Sequence, residues 1–302
     1  MIAITRYTRE PIIQPHRLQR LLKNKLLVIV LVLIALCYAW TLFPKAPTNM
    51  TFIDQEQHQH FTICPALQVV APRHPSSLES TFSLLNWNIY KQQKAQWAEQ
   101  LSHWAKEADL ITLQEAKYDK QLIQFSQQQN LSYLQNIAFL YEKNAYGVNT
   151  LSRANALQAC GTRYTEPWLQ IPKTGIATTY SVKGSATRLL LINLHGVNFT
   201  ATSTPLTEQF SVYLRLINKH RGPIIISGDF NTWNEARNNA ITDALFSLDF
   251  NEVLFNEDKR LMVFERPLDH IYYRDLEVIK SQSLETNASD HTPQLVTFTL
   301  KK

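Results

Sequence analysis

From Thr81 to the C-terminus the chain alternates between two hydrophobic periods. Short runs of branched and aromatic residues, bounded by polar ones, predict strands over 83–90, 109–116, 188–199, 223–231, 268–274 and 294–300. Between them apolar positions recur at helical spacing. Trp97, Leu101, Trp104 and Ala105 share one helical face, and Phe210, Tyr213, Leu214 and Ile217 share another after Pro205. A third helix is expected from Glu235. Strands alternating with helices imply one α/β domain of about 220 residues over 81–302.

Upstream the pattern changes twice. Residues 26–43, LLVIVLVLIALCYAWTLF, run for 18 positions without a charge. At about 1.5 Å per helical residue this run suffices, with flanking help, for a hydrocarbon core about 30 Å thick. A transmembrane helix is therefore predicted at 26–43, with Tyr38 and Trp40 near one end, where amphipathic rings favour the interface. A cleaved signal peptide and a buried core helix are the competing readings, and no small-x-small site closes the run to favour cleavage. Residues 44–80, rich in Pro, His, Gln and Ser, read as a linker with some extended structure.

Composition, at 45% hydrophobic and 18% charged, excludes a disordered chain over most of the length. The net charge of +5 would suggest a nucleic-acid binder if it were spread over the domain. It is not. Arg6, Arg9, Arg17, Arg20, Lys23 and Lys25 against Glu10 account for all of it, and the remaining chain carries 24 basic and 24 acidic residues. The basic segment 1–25 instead orients the apolar run, with the N-terminus in the cytoplasm and 44–302 outside, a cytoplasm-facing domain being the alternative. Cys37 falls in the run, which leaves Cys64 and Cys160 as either a disulfide or two separate thiols.

Candidate chemistry gathers at strand ends. Asn88 closes the first strand, Gln114 and Glu115 the second, His195 and Asn198 the third, and Asp229 and Asn231 the fourth. Asp269 and His270 interrupt the fifth run, and Asp290–His291 precedes the last. In α/β sheets ligands bind beyond such ends. Taken singly, each residue also has a structural explanation: Asp229 with Asn231 as an Asx-turn, Asp290 as a turn cap, His195 as a satisfied core histidine.

Their order carries more than any one of them. WNIYK (87–91), LQEA (113–116), GVNTLS (147–152), NLHGVNF (193–199), SGDFN (227–231), LDHIYYR (268–274) and SDHTP (289–293) resemble, in sequence, the motifs of the endonuclease/exonuclease/phosphatase superfamily. At finer grain, 87–97 and the RPLDHIYYR and ASDH stretches are similar to the bacterial YafD-type proteins. The resemblance spans about 81–300 and implies a four-layered α/β sandwich of DNase I-like type, preceded here by the transmembrane helix. It implies in-line attack of water on a phosphoester, with a Mg²⁺ ion, or Mn²⁺ as the alternative, held by Glu115, Asn88 and Asp290. His291, oriented by Asp269, matches the histidine at the scissile phosphate, Asp229 the base or water-positioning carboxylate, and His195 a residue near the leaving group. Asn231, Asn198 and Asn88 match phosphate-side asparagines. Tyr90 stands where some abasic-site nucleases carry a second acidic ligand, and this departure, with the neutral domain charge, weighs against DNA repair.

The expected function is thus a membrane-anchored phosphodiesterase or phosphatase, outside the cytoplasmic membrane of a bacterium, acting on a lipid headgroup or nucleotide. A nuclease is the alternative, with Lys117, Lys120, Lys143 and Arg153 as candidate nucleic-acid contacts. A binding module of the same fold without catalysis is the third reading.

Overall fold

The computed structural model describes residues 15–41, 43–47, 52–54, 56, 58–70, 76–200 and 202–301. The chain divides into two compact units, Met1–Phe43 and Pro44–Lys302. In the first, Pro15–Thr41 is one helix whose described side chains, 23–38, are all exposed. Among the described residues no helix is long and apolar enough to cross a membrane. The predicted 26–43 span extends onto positions 39–42, outside the described side chains.

The second unit holds two large sheets, each covered on its outer face by helices. The first sheet runs, in spatial order, Leu276–Ser283, Gln294–Leu300, Thr81–Asn88, Leu110–Tyr118, Asn144–Ser152, Ser132–Tyr141, Phe52–Asp54 and Gln59–His60. The second runs Asn251–Glu252, Asp269–Arg274, Ile224–Asp229, Arg188–His195, Pro172–Val182, Gln158–Thr165 and Gln68–Val69. Three apolar clusters are the seams of four layers. Trp97, Leu101, Leu122 and Phe125 bring helices Trp97–Trp104 and Lys120–Gln128 onto Leu85, Trp87, Ile111 and Leu113 of the first sheet. Leu206, Phe210, Tyr213 and Ile241 bring helices Thr204–Lys219 and Glu235–Phe246 onto Leu190, Ile192, Ile224 and Ile226 of the second. Leu84, Leu110, Val296, Leu191, Ile225 and Ile271 fill the seam between the sheets. Each such buried aliphatic side chain contributes about 1.5–3 kcal/mol relative to exposure.

The period of two along each strand explains why these runs are apolar on both faces and what happens at their ends. On the inter-sheet face the residues change from apolar to polar along one direction: Leu84, Asn86, Asn88; Leu110, Thr112, Gln114; Leu191, Asn193, His195; Ile225, Ser227, Asp229. The polar steps pair across the seam. Thr112 Oγ1 lies 2.9 Å from Ser227 Oγ, and Gln114 Nε2 donates to Asn193 Oδ1 at 2.8 Å and Asn86 Oδ1 at 3.0 Å. Asn193 Nδ2 in turn donates to the Asn149 carbonyl at 2.9 Å. Buried polar groups need partners to offset desolvation, and these bonds tie the sheets together beneath the strand ends while Gln114 Oε1 and Asn149 Oδ1 are left without a hydrogen-bond partner.

Pairing brings those ends to one side. Arg188–His195 and Ile224–Asp229 are parallel with His195 opposite Asp229, and Asp269–Arg274 runs antiparallel so that its first residue, Asp269, also faces Asp229. In the first sheet Asn88 lies opposite Gln114 on a parallel neighbour. Gly228 permits the second-sheet pairing: its φ is +155°, and a Cβ there would collide with the Leu194 carbonyl.

In the 44–80 stretch, read from sequence as a linker with some extended structure, Phe52–Asp54 pairs with Ser132–Tyr141, Gln68–Val69 with Gln158–Thr165, and Ser77–Leu78 with Pro172–Val182. Cys64 in the same stretch is bonded to Cys160, with an S–S distance of 2.03 Å. Its extended residues satisfy edge-strand hydrogen-bonding groups and bury Phe52 and Leu78. The strand predicted to reach position 199 ends at His195, and Gly196 N makes the last bond of the parallel ladder, to the Asp229 carbonyl at 2.7 Å. The strand predicted to reach Tyr90 ends at Asn88, where Tyr90, Lys91 and Gln92 all take positive φ, from 49° to 59°.

Candidate active site

The strand ends enclose a cavity of about 230 Å³ lined by Asn88, Tyr90, Lys91, Glu115, Lys173, His195, Asn198, Asp229, Asn231, Leu261, Leu268, Asp290 and His291. Eight of the nine residues nominated from sequence line it, and the ninth, Asp269, lies buried behind His291. A second, larger groove beside Phe250 and Tyr273 carries none of them.

Asp229 sits at the centre. Asn88 Nδ2 donates to its Oδ2 at 3.0 Å and Asn231 N to its Oδ1 at 3.0 Å, while His195 Nε2 and His291 Nε2 lie 3.5 and 3.9 Å from Oδ2. Burial pushes the Asp229 carboxyl up, the His291 charge opposes this and Asp269 adds to it, with the result at about 6. The His291 ring is anchored through Nδ1 to Asp269 Oδ2 at 2.7 Å. Burial alone would lower the His291 pKa, but Asp269, Asp229 and Asp290 outweigh it and raise it to about 10. The ring is therefore an imidazolium at neutral pH. Its backbone is latched to the first sheet by Trp87 Nε1 donating to the His291 carbonyl at 3.0 Å, and by Ser289 Oγ donating to the Asn88 carbonyl at 2.7 Å.

Glu115 reaches the cavity by an irregularity. Period two would turn it, as the neighbour of Gln114, towards the helix side. A register shift between Leu113 and Ala116, with Glu115 at φ +53°, re-aims it into the cavity. Asn231, at φ +52°, is the other lining residue of this kind outside the 90–92 turn. Non-glycine residues in this region cost about 1–3 kcal/mol each and persist where the surroundings hold them. Burial raises the Glu115 pKa, but the Lys173 and Lys91 charges reverse the sign and leave it below the usual range, so the carboxylate is ionised.

Two lysines absent from the sequence reading complete the wall. Lys91 Nζ lies 2.5 Å from Glu115 Oε2, delivered by the left-handed turn 90–92. Lys173 Nζ lies 2.9 Å from His195 Nε2. His195 is held well below its ordinary pKa by burial first and then by Lys173, Lys91 and His291, so it is a neutral ring whose Nε2 accepts from the ammonium. Lys91 is the last residue of the WNIYK motif and was within reach of sequence reasoning. Lys173 is the second residue of the strand Pro172–Val182, whose PKTGIATTYSV pattern does not alternate.

The neighbours set what the asparagines can do. Trp233 Nε1 donates to Asn198 Oδ1 at 3.0 Å, which leaves the Asn198 amide N–H groups for a ligand. Asn231 Nδ2 donates to the Gly196 carbonyl at 3.0 Å and keeps its second N–H. The loops bearing both are clamped by buried Arg237, whose Nε donates to the Asn231 carbonyl at 2.7 Å, Nη1 to Thr200 Oγ1 at 2.5 Å, and Nη2 to the Val197 carbonyl. His270 faces the helix side of its sheet, 2.7 Å from both Glu252 Oε1 and Thr232 Oγ1.

Asp229, Asp269 and His291 have ligand atoms within 4.8 Å of one another, a spacing that a metal could bridge. With His291 Nδ1 already on Asp269 and the ring cationic, its nitrogens offer no lone pair, so the trio is a hydrogen-bonded charge cluster first. Glu115, Asp290 and Asn88, whose Oδ1 already accepts from Tyr90 N at 3.1 Å, line the same cavity and offer oxygen donors, the ligand chemistry of a hard divalent cation.

The family model described as "Endonuclease/Exonuclease/phosphatase family" matches residues 85–291. Among solved structures, that of ANGEL2, a 2',3'-cyclic phosphatase, in complex with adenosine-2',3'-vanadate, aligns with TM-score 0.60 at 14% identity over 78% of this chain and 99% of that one. The human Nocturnin catalytic domain with bound sulfate anion aligns with TM-score 0.59 at 17% identity, covering 75% and 97%. D. rerio TDP2 complexed with single strand DNA product aligns with TM-score 0.53 at 16% identity, covering 72% and 99%.

Proposed function

Because the chain belongs to the endonuclease/exonuclease/phosphatase family, whose members hydrolyse phosphoester bonds, we propose that it is a divalent-metal-dependent phosphodiesterase or phosphatase anchored to a membrane. One observation carries the hydrolase reading: strand ends from both sheets place the His291–Asp269 pair, Asp229 and ionised Glu115 around one cavity.

Glu115, Asp290 and Asn88 would hold Mg²⁺, or Mn²⁺ in its place; the ion supplies Lewis acidity and charge neutralisation at the phosphoryl oxygens. The His291 imidazolium, held by Asp269, donates to a phosphoryl oxygen as negative charge builds there. Asp229 accepts a proton from, or positions, the attacking water, and its pKa of about 6 suits a base near neutrality. Asn198 and Asn231 orient the phosphate through their remaining N–H groups. Lys173, seated on neutral His195, is the donor nearest the leaving-group position expected of His195.

Anchoring rests on the apolar run 26–43, and placement of 44–302 outside the cytoplasm rests on the basic segment 1–25 and the Cys64–Cys160 bond, of a kind that persists in oxidising compartments. A periplasm-dependent reporter fused after Lys302 tests the orientation; activity confined to the cytoplasm would reverse it. For the chemistry, full-length protein in detergent should hydrolyse bis(p-nitrophenyl) phosphate with Mg²⁺, and Glu115→Gln or His291→Ala should each lower the rate by about a hundredfold or more. Equal rates in wild type and both variants would remove the hydrolase reading.

The nuclease alternative gains little here. Arg153 is committed to the chain itself, with Nη2 donating to the Ala105 carbonyl at 2.8 Å and Nε to the Ala108 carbonyl at 3.1 Å.

A further inference from the structure

Large apolar side chains stand exposed on segments adjoining the cavity's residues. Trp168 is 66% exposed, Leu169 38%, Phe199 53%, Met262 42% and Phe264 78%. Chain connections and contacts tie them to the site. Phe199 follows the lining residue Asn198. The hairpin Met262–Val263 with Arg266–Pro267 lies between the lining residues Leu261 and Leu268 and carries Phe264 at its tip. The Phe264 ring is 6.3 Å from that of Trp233, whose indole donates to Asn198. The turn bearing Trp168 and Leu169 follows buried Glu166, whose Oε1 accepts from Asn198 N at 2.7 Å. Phe264 also sits at φ +48° and Glu265 at +64°, a two-residue turn that usually takes Asn-Gly. A bulky residue kept in that conformation and left in water has two costs, which points to a task outside the folded domain.

We infer that this rim is the docking surface for a lipid bilayer and that the phosphoester cleaved is the headgroup of a membrane lipid; the substrate part rests on the hydrolase reading above. Charge selects the occupant. A nucleic-acid groove would supply Lys and Arg to many phosphates. The basic residues around this rim are engaged elsewhere: Arg266 with Glu235 at 3.8 Å, Arg260 with Asp258 and Glu252 at 2.6 and 3.2 Å, and Lys259 with Glu285 at 3.1 Å. What remains, apart from the single carboxylate of Glu265 at the hairpin tip, is mixed aromatic and aliphatic, and adjacent to the polar cavity. A lipid presents that combination: a phosphoester joined to apolar mass at an interface where Trp and Phe partition well.

The test uses full-length protein in proteoliposomes of phosphatidylethanolamine and phosphatidylglycerol. Trp168→Ser with Phe264→Ser should lower headgroup release at least tenfold and leave turnover of soluble bis(p-nitrophenyl) phosphate within twofold. Unchanged headgroup release, or an equal fall on both substrates, overturns the proposal. So does wild-type cleavage of single-stranded DNA that outpaces lipid and falls in the double variant. A second readout does not need turnover: brominated-acyl phospholipids should quench wild-type tryptophan emission more than that of Trp168→Phe in the same bilayer. Equal quenching overturns the docking surface. Inertness of wild type towards every substrate together with the Trp168 quenching difference retains the docking surface, sinks the hydrolase reading, and takes the substrate assignment with it.

Discussion

His291 Nδ1 lies 2.7 Å from Asp269 Oδ2, both side chains are buried, and the imidazolium so formed turns its other nitrogen towards Asp229 Oδ2 at 3.9 Å. Asp269→Asn keeps the shape and removes the charge. The variant should lose about a hundredfold in kcat, and the alkaline limb of its pH profile should move down from about 10 towards the ordinary histidine range. An unchanged alkaline limb would show that His291 does not depend on Asp269 for its proton.

The same pair makes stability depend on pH. The folded-state pKa of His291, about 10, exceeds the ordinary 6.5, so its stabilisation is complete below about 6.5 and is lost as pH rises through about 10. Thermal melts from pH 6 to 10 should show this decline, and Asp269→Asn should flatten it.

On the acid side, Asp229 should govern. Its carboxyl must be ionised to act as a base, so kcat/KM should rise with pH up to about 6 and level off. Asp229→Asn should abolish that limb along with most activity. A limb that survives in the variant belongs to another group.

Lys91 holds Glu115 Oε2 at 2.5 Å on the oxygen set proposed for the cation. Two cations then compete for one carboxylate. Lys91→Met should tighten Mn²⁺ binding in titration calorimetry several-fold, and Glu115→Gln should weaken it. Unaltered affinity in Lys91→Met would show that the lysine leaves when the ion binds without cost.

The Cys64–Cys160 bond closes a loop with a sequence separation of 96. Cys64→Ser should cost about 2–5 kcal/mol, or roughly 5–15 °C in Tm for a domain of this size. A melt within 2 °C of wild type would show that the edge pairing alone secures the 44–80 segment.

The strands that the pattern revealed are those with apolar residues on both faces. Ile224–Asp229 and Arg188–His195 lie between a helix layer and the facing sheet, so their hydrophobic runs are nearly continuous. Asn144–Ser152, Gln158–Thr165 and Pro172–Val182 went unpredicted because their buried residues include Asn149, Thr150, Thr162 and Thr178, whose partners lie elsewhere in the chain. A polar residue that is satisfied by a neighbouring strand reads, in one dimension, like a loop. Site residues at the ends of the legible strands were found with them, and Lys173, on an illegible strand, was not.

The sequence by itself determined the layered α/β plan, the family, and the polar residues that close each strand, because hydrophobic period and motif order are written along the chain. Tertiary structure decided which of those residues share a face. Glu115 enters the cavity only through a register shift and Lys91 only through a left-handed turn, and Asp269 comes to lie behind His291 only because its strand runs opposite to that of Asp229. Side-chain direction at a bulge or turn depends on what the neighbouring strand holds in place, and that neighbour lies far away in sequence.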